Sequence, residues 1–61
     1  MTESQCYQAA RTMRSMGSFA FAISEAYFVA DTENRETLIQ AFKGLFERAL
    51  ELSNTITTQE G

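Results

Sequence analysis

The chain has 61 residues, a net charge of −3 from eight acidic and five basic side chains, one cysteine and no histidine. A single cysteine excludes an intramolecular disulfide, and the missing histidines and second cysteine leave no ligand set for a soft metal ion. The acidic balance disfavours general binding to nucleic acid, for which a basic surface is expected. A domain this short buries only about 60% of its unfolded surface, so we expect association with another subunit to supplement its core.

Targeting signals are weak in this sequence. The first eight residues, MTESQCYQ, are polar and acidic, whereas a secretory signal begins with basic and then apolar residues. The longest apolar run has about twelve residues, and a membrane span needs about twenty. The lone Cys6 suits a reducing compartment. We therefore expect a cytoplasmic protein that does not enter the membrane.

The first predicted helix covers about residues 2–16. Thr2 and Gln5 have the spacing of a capping box, in which each side chain bonds the backbone N–H of the other residue. Arg11 and Arg14 lie off the apolar face, near the helix C-terminus, where cations favour the helix dipole. Apolar residues follow at intervals of three and four and define one helix face: Cys6, Ala9, Ala10, Met13 and Met16.

Gly17 predicts the end of the first helix, and a second helix is expected over about residues 18–30. Glycine suits a left-handed helix C-terminus, and Ser18 suits the N-cap of a new helix. One unbroken helix is the alternative, because a glycine inside a helix costs only about 1 kcal/mol. We favour the break.

The second helix is apolar almost all the way round. From Phe19 to Ala30, ten of twelve residues are apolar, more than two neighbouring helices can cover. An exposed apolar patch of this kind marks an interface, and aromatic side chains dominate the binding energy of such surfaces. The residues we expect at the interface are Phe19, Phe21, Phe28 and Val29.

The third predicted helix covers about residues 33–54 and follows the turn-forming residues 31–34. Ile39 and Phe46 widen its apolar seam, and we expect the helix to continue through Gly44 because the seam keeps its phase there. The tail at about 55–61 has poor helix formers and should fray. The seam residues recur at the four-three spacing of a heptad: Leu38, Phe42, Leu45, Ala49, Leu52 and Ile56.

These elements predict an all-α fold with two to three helices in a single domain, residues 1–61. A helical hairpin or three-helix unit leaves apolar surface on the second helix. Dimerisation of that unit into a helical bundle covers the surface. We therefore expect a homodimer or a higher homo-oligomer.

No pattern of residues predicts catalysis. Histidine is absent as a base near neutral pH, Cys6 has no histidine partner, and the isolated glycines form no phosphate-binding loop. The acids around Asp31 lack the glycine and the final acid of a calcium loop, which favours a cap and turn. We predict no catalytic residue, no metal site and no cofactor, so the protein is not an enzyme.

A helix-turn-helix DNA-binding regulator is one alternative. Residues 17–23 are similar to the start of the second helix in LysR-type regulators. The helix that would read DNA begins with Asp31, Thr32 and Glu33, whose acids would repel phosphate. Only Arg35 is well placed to contact a base.

Residues 13–46 resemble small phage- and prophage-encoded proteins of unknown function, including the short open reading frames of the exo–xis early region of lambdoid phages. The resemblance implies a compact helical fold and an accessory role in the infected bacterium, where such proteins influence the choice between lysis and lysogeny. It carries no catalytic residue. The matching residues are Gly17, Ser18, Phe19, Ala20, Ala22, Ile23, Ala26, Tyr27, Ala30, Asp31, Asn34, Leu38, Ala41, Phe42, Leu45 and Phe46.

The sequence therefore predicts a phage early accessory protein that acts by protein–protein interaction on an unidentified host or phage protein. A second alternative is an acidic inhibitor of a host nucleic-acid-binding or defence protein. That alternative requires acids grouped on one face. Glu36, Glu47 and Glu51 lie broadly on the outside of the last helix, but Lys43 and Arg48 interrupt them.

Overall fold

The computed structural model describes the backbone of residues 1–60 and the side chains of residues 1–54. Over that part of the chain the fold is all-helical, as predicted. It has four helices where the sequence predicted two to three. Their bounds are α1 Glu3–Met13, α2 Ser18–Val29, α3 Thr32–Ala41 and α4 Lys43–Glu60.

Helix α1 begins with the predicted capping box. The Thr2 backbone N–H donates to Gln5 Oε1 at 2.8 Å, and the Gln5 N–H donates to Thr2 Oγ1 at 3.1 Å. The helix ends at Met13 rather than near residue 16, because the backbone of residues 14–16 closes turns with bonds to the third residue back. The predicted apolar face is confirmed, with Cys6, Ala9, Ala10 and Met13 buried and Met16 partly buried.

Gly17 separates α1 from α2, which confirms the predicted break. Its φ of 102° and ψ of 169° lie in an extended region that L-residues avoid, rather than in the left-handed helical region that we expected. Gly17 is itself the N-cap of α2, and Ser18 is the first helical residue instead of the predicted cap. The glycine is needed here for its backbone conformation, because a Cβ would meet no atom within 4 Å.

The predicted helix over residues 33–54 is wrong in its continuity, because the chain breaks at Phe42. Phe42 has φ −119° and ψ 38°, so α3 ends before it and α4 begins after it. The break lets α3 lie against α2 while α4 lies mainly against α1, which one straight helix could not do. The predicted start is confirmed, since Asp31 caps α3 by accepting a 2.9 Å hydrogen bond from the Asn34 N–H.

The same break changes which residues of α4 face inward. Phe46, expected only to flank the seam, is fully buried, and Leu52, expected within the seam, is 44% exposed. The heptad spacing, when it is extended across Phe42, predicts the wrong buried residues in α4, because the backbone at Phe42 is not helical. The backbone of α4 is helical to Glu60, beyond the predicted end near residue 54. Ile56 and the side chains of the predicted frayed tail lie outside the residues whose side chains are described.

The core lies where α1 crosses α4 and α2. Its largest side chains are Met13 and Phe46, both fully buried, and the Tyr27 ring packs against Phe46 at a centroid distance of 5.8 Å. Ser24 is also fully buried, and its Oγ has no hydrogen-bond partner among the described residues. The core holds α2 by one face only, so its opposite face is turned outward.

Candidate interaction surfaces

The structure has two candidate interaction surfaces, one on the outside of α2 and one between α1 and the junction of α2 with α3. Ala20, Ser24 and Tyr27 are buried and define the inner face of α2. Because an α-helix turns about 100° per residue, Phe19 and Phe21 lie on opposite sides of that face. They are 61% and 40% exposed. The four interface candidates from the sequence therefore do not form one patch.

The first surface is the outer stripe, which we define as Phe19, Ala22, Ala26 and Val29. Intervals of three, four and three place these residues on one face of α2, opposite the inner face. Ala22 is exposed, Ala26 is half-buried, and Val29 is 86% exposed. The prediction included Phe19 and Val29 but missed the two alanines. Their heptad spacing was the signal that could have found them.

Phe21 and Phe28 lie on the other flank of α2, beside α1. The Phe28 ring contacts Tyr7 edge to face at a centroid distance of 5.6 Å and packs against the core. The Arg14 guanidinium lies over the Phe21 ring at 4.8 Å and forms a 2.8 Å ion pair with Glu25. These two phenylalanines therefore already have partners within the chain.

Along the chain, residues of opposite charge adjoin the two ends of the outer stripe. The Phe19 ring contacts Phe42 at a centroid distance of 5.6 Å, and Lys43 directly follows Phe42. Lys43 is exposed and forms no ion pair among the described residues. At the Val29 end the chain continues into the exposed acids Asp31 and Glu33. The stripe itself carries no charge.

The second surface is an open cleft of about 670 Å³ between α1 and the junction of α2 with α3. Tyr7 and Phe28 form its apolar wall, and Arg11, Arg35 and Glu3 line its polar part. This mixture of one acid, two cations and aromatic rings could hold a polar peptide segment with an apolar anchor. Nothing else in the cleft specifies a ligand.

Tyr27 borders both the core and this cleft. Burial raises the pKa of the Tyr27 phenol above its ordinary value of 10.0, with a further rise from Cys6 and an opposing effect of the Arg35 cation. The phenol is therefore neutral at physiological pH, and it has no acidity suited to proton transfer there.

Arg35, the residue that the DNA-binding alternative requires, is already engaged. Its Nε donates to the Tyr27 carbonyl oxygen at 3.1 Å, and its guanidinium lies over the Tyr27 ring at 4.9 Å. These contacts tie α3 to the end of α2. A side chain held in this way is poorly placed to reach a base edge.

The described part of the chain has neither a group of metal ligands nor a membrane-spanning helix. No three His, Cys, Asp or Glu side chains are grouped so that they could hold a metal ion. None of the described helices combines the length and the apolar character needed to cross a membrane.

Comparison of the chain with protein families, with curated proteins and with solved structures gives no match.

Proposed function

We propose that this chain is a non-enzymatic accessory protein of a bacteriophage that acts by protein–protein contact in the cytoplasm of the infected bacterium. The observation that carries the contact is the outer stripe, which leaves Phe19 and Val29 mostly exposed on an uncharged helix face. Contiguous exposed apolar surface marks interaction sites in small proteins. The phage setting, and a role in host physiology or in the choice between lysis and lysogeny, rest on the resemblance of residues 13–46.

Charge favours a protein partner over DNA. The chain has a net charge of −3, and the first turns of α3 expose Glu33 and Glu36 toward solvent. Phosphate groups that approach α3 would meet these carboxylates, since Arg35, the one cation of α3, is held against Tyr27. The helix-turn-helix alternative is therefore less well supported than contact with a protein.

The acidic-inhibitor alternative also has less support. Glu36 belongs to α3, whereas Glu47 and Glu51 belong to α4, and the chain breaks between these helices at Phe42. The acids are therefore spread over two elements instead of grouped on one. The outer stripe, by contrast, lies on a single helix.

The experiment that tests this function compares three proteins in bacteria infected by a temperate phage. Ala22→Glu places a charge on the outer stripe, and Gln40→Glu adds the same charge at an exposed position of α3. We expect the wild type and Gln40→Glu to change the frequency of lysogeny equally, and Ala22→Glu to lose the effect. A wild type without effect, or a fully active Ala22→Glu, would overturn the proposal.

A further inference from the structure

The geometry points to a second copy of this chain as the occupant of the outer stripe, with the two α2 helices paired antiparallel about a two-fold axis near Ser24. This inference rests on the proposed function, because it names one partner of the same surface. Three features of the described residues carry it: the symmetry of the stripe, the small residues at its centre, and the charges at its ends.

The stripe is symmetric in both spacing and size. Its intervals of three, four and three read the same in either direction, and its order is large, small, small, large. An antiparallel pairing about the level of Ser24 therefore places Phe19 against the partner's Val29 and Ala22 against the partner's Ala26. A two-fold interface requires this kind of self-complementary surface.

The two alanines allow the helix axes to approach closely. Packed helices lie about 8–10 Å apart, and small side chains at the contact give the shorter distances. Phe19 and the partner's Val29 would then cover the two ends of the contact. All four residues of the stripe are apolar, so their burial in this arrangement desolvates no polar group of the stripe.

The end charges select the antiparallel orientation. Antiparallel helices bring the Phe19 end of each copy, which Lys43 adjoins through Phe42, toward the Val29 end of the other copy, where the chain continues to Asp31 and Glu33. Parallel helices would bring like charges together at both ends. Glu25 flanks the stripe beside the two-fold axis, so its two copies lie on the same side of the interface, and each carboxylate is paired with Arg14 of its own chain at 2.8 Å.

The contact is small. Helix α2 has 12 residues and is therefore about 18 Å long and about 10 Å wide. Its pairing lies at the low end of interface sizes, below the roughly 1,200 Å² of total buried area that is typical of stable complexes. We therefore expect a dimer that dissociates at micromolar concentration, which fits a chain that can exchange this partner for another.

Disulfide trapping tests the orientation. Ala22→Cys and Ala26→Cys proteins, labelled with different mass tags, are mixed in a glutathione redox buffer. In the antiparallel pair positions 22 and 26 face each other at one level. The two copies of position 22 are offset by about 6 Å along the axis, which puts their Cα atoms about 7–8 Å apart when the helix axes are about 8–10 Å apart. A disulfide needs Cα atoms within about 7 Å. We expect the mixed disulfide to form at least about ten times faster than either homodisulfide, since only the mixed pair meets this distance.

The unmodified chain is the control, because its single thiol, Cys6, is only 4% exposed. Homodisulfides that form faster than the mixed disulfide would overturn the antiparallel pairing. Reaction no faster than that of the unmodified chain would overturn the second copy as occupant. If the wild type were monomeric while Ala22→Glu still abolished the lysogeny effect, this inference would fail and the proposed function would stand.

Discussion

Replacing Ser24 with alanine should stabilise the protein. Ser24 is fully buried, and its hydroxyl has no hydrogen-bond partner among the described residues. An unsatisfied buried polar group costs about 1–3 kcal/mol, and alanine adds up to about 0.5 kcal/mol of helix propensity. The loss is the dispersion energy of one oxygen, about 0.1–0.2 kcal/mol for each atom that it contacts. We expect a net gain of about 1–2 kcal/mol.

The assay is thermal and urea unfolding followed by circular dichroism. Ala22→Glu is present in every protein compared, so that self-association does not contribute to the free energy of unfolding. For a domain of this size each kcal/mol raises Tm by about 4–8 °C. Ser4→Ala is the matched control, because Ser4 is exposed in α1 and its replacement should change stability by less than about 0.5 kcal/mol. A loss of 1 kcal/mol or more in Ser24→Ala would refute the reasoning, since the hydroxyl would then be stabilising the fold.

Three further predictions concern single side chains. Gly17→Ala should lower the free energy of unfolding by about 1–3 kcal/mol because of its positive φ, whereas Gly44→Ala, inside α4, should raise it by about 0.5 kcal/mol. Equal effects in urea unfolding would contradict this account. Thr2→Ala should cost about 1 kcal/mol through loss of the capping box, read from the urea midpoint, and no change would mean that the cap is not formed in solution. Because the pKa of Tyr27 is raised in the folded state, its contribution to stability is fully present below about pH 10 and is lost as the pH rises through the folded pKa. Tyr27→Phe should therefore weaken the loss of stability above about pH 10, and an unchanged alkaline transition would contradict the assignment.

Local signals predicted much of the secondary structure. The capping box at Thr2, the break at Gly17 and the cap at Asp31 are each determined by residues within one helical turn, and all three are confirmed. The apolar face of α1 is confirmed for the same reason, since helical periodicity alone brings Cys6 and Met13 to one side.

The break at Phe42 could not be predicted in this way. Leu38, Phe42 and Leu45 keep the spacing of one helix, and the nearby helix breaker, Gly44, lies inside α4 rather than at the break. The break follows from tertiary packing, because α3 must lie on α2 while α4 crosses α1. Packing of this kind overrides local propensity and exchanges the expected roles of Phe46 and Leu52.

The sequence predicted that α2 has more apolar residues than its neighbours can cover, but it did not predict which of these residues share one exposed face. The apolar excess of α2 is clear from the sequence, but Phe19 was predicted to share one surface with Phe21 and Phe28, which lie on the flank beside α1. Positions of the neighbouring helices decide which aromatic side chains remain outside. Tyr7 and Arg14 contact the rings on the α1 flank, and the outer stripe keeps the most exposed side chains of α2, Phe19 at 61% and Val29 at 86%.

Sedimentation equilibrium of the wild type, Ala22→Glu and Gln40→Glu measures whether the chain self-associates through the outer stripe. We expect the wild type and Gln40→Glu to pass from monomer to dimer as their concentration rises through the micromolar range. Ala22→Glu should remain monomeric and fully helical, with a dissociation constant raised at least about 100-fold by the two unpaired carboxylates that it buries. A wild type that stays monomeric at millimolar concentration, or an Ala22→Glu that dimerises like the wild type, would contradict the account.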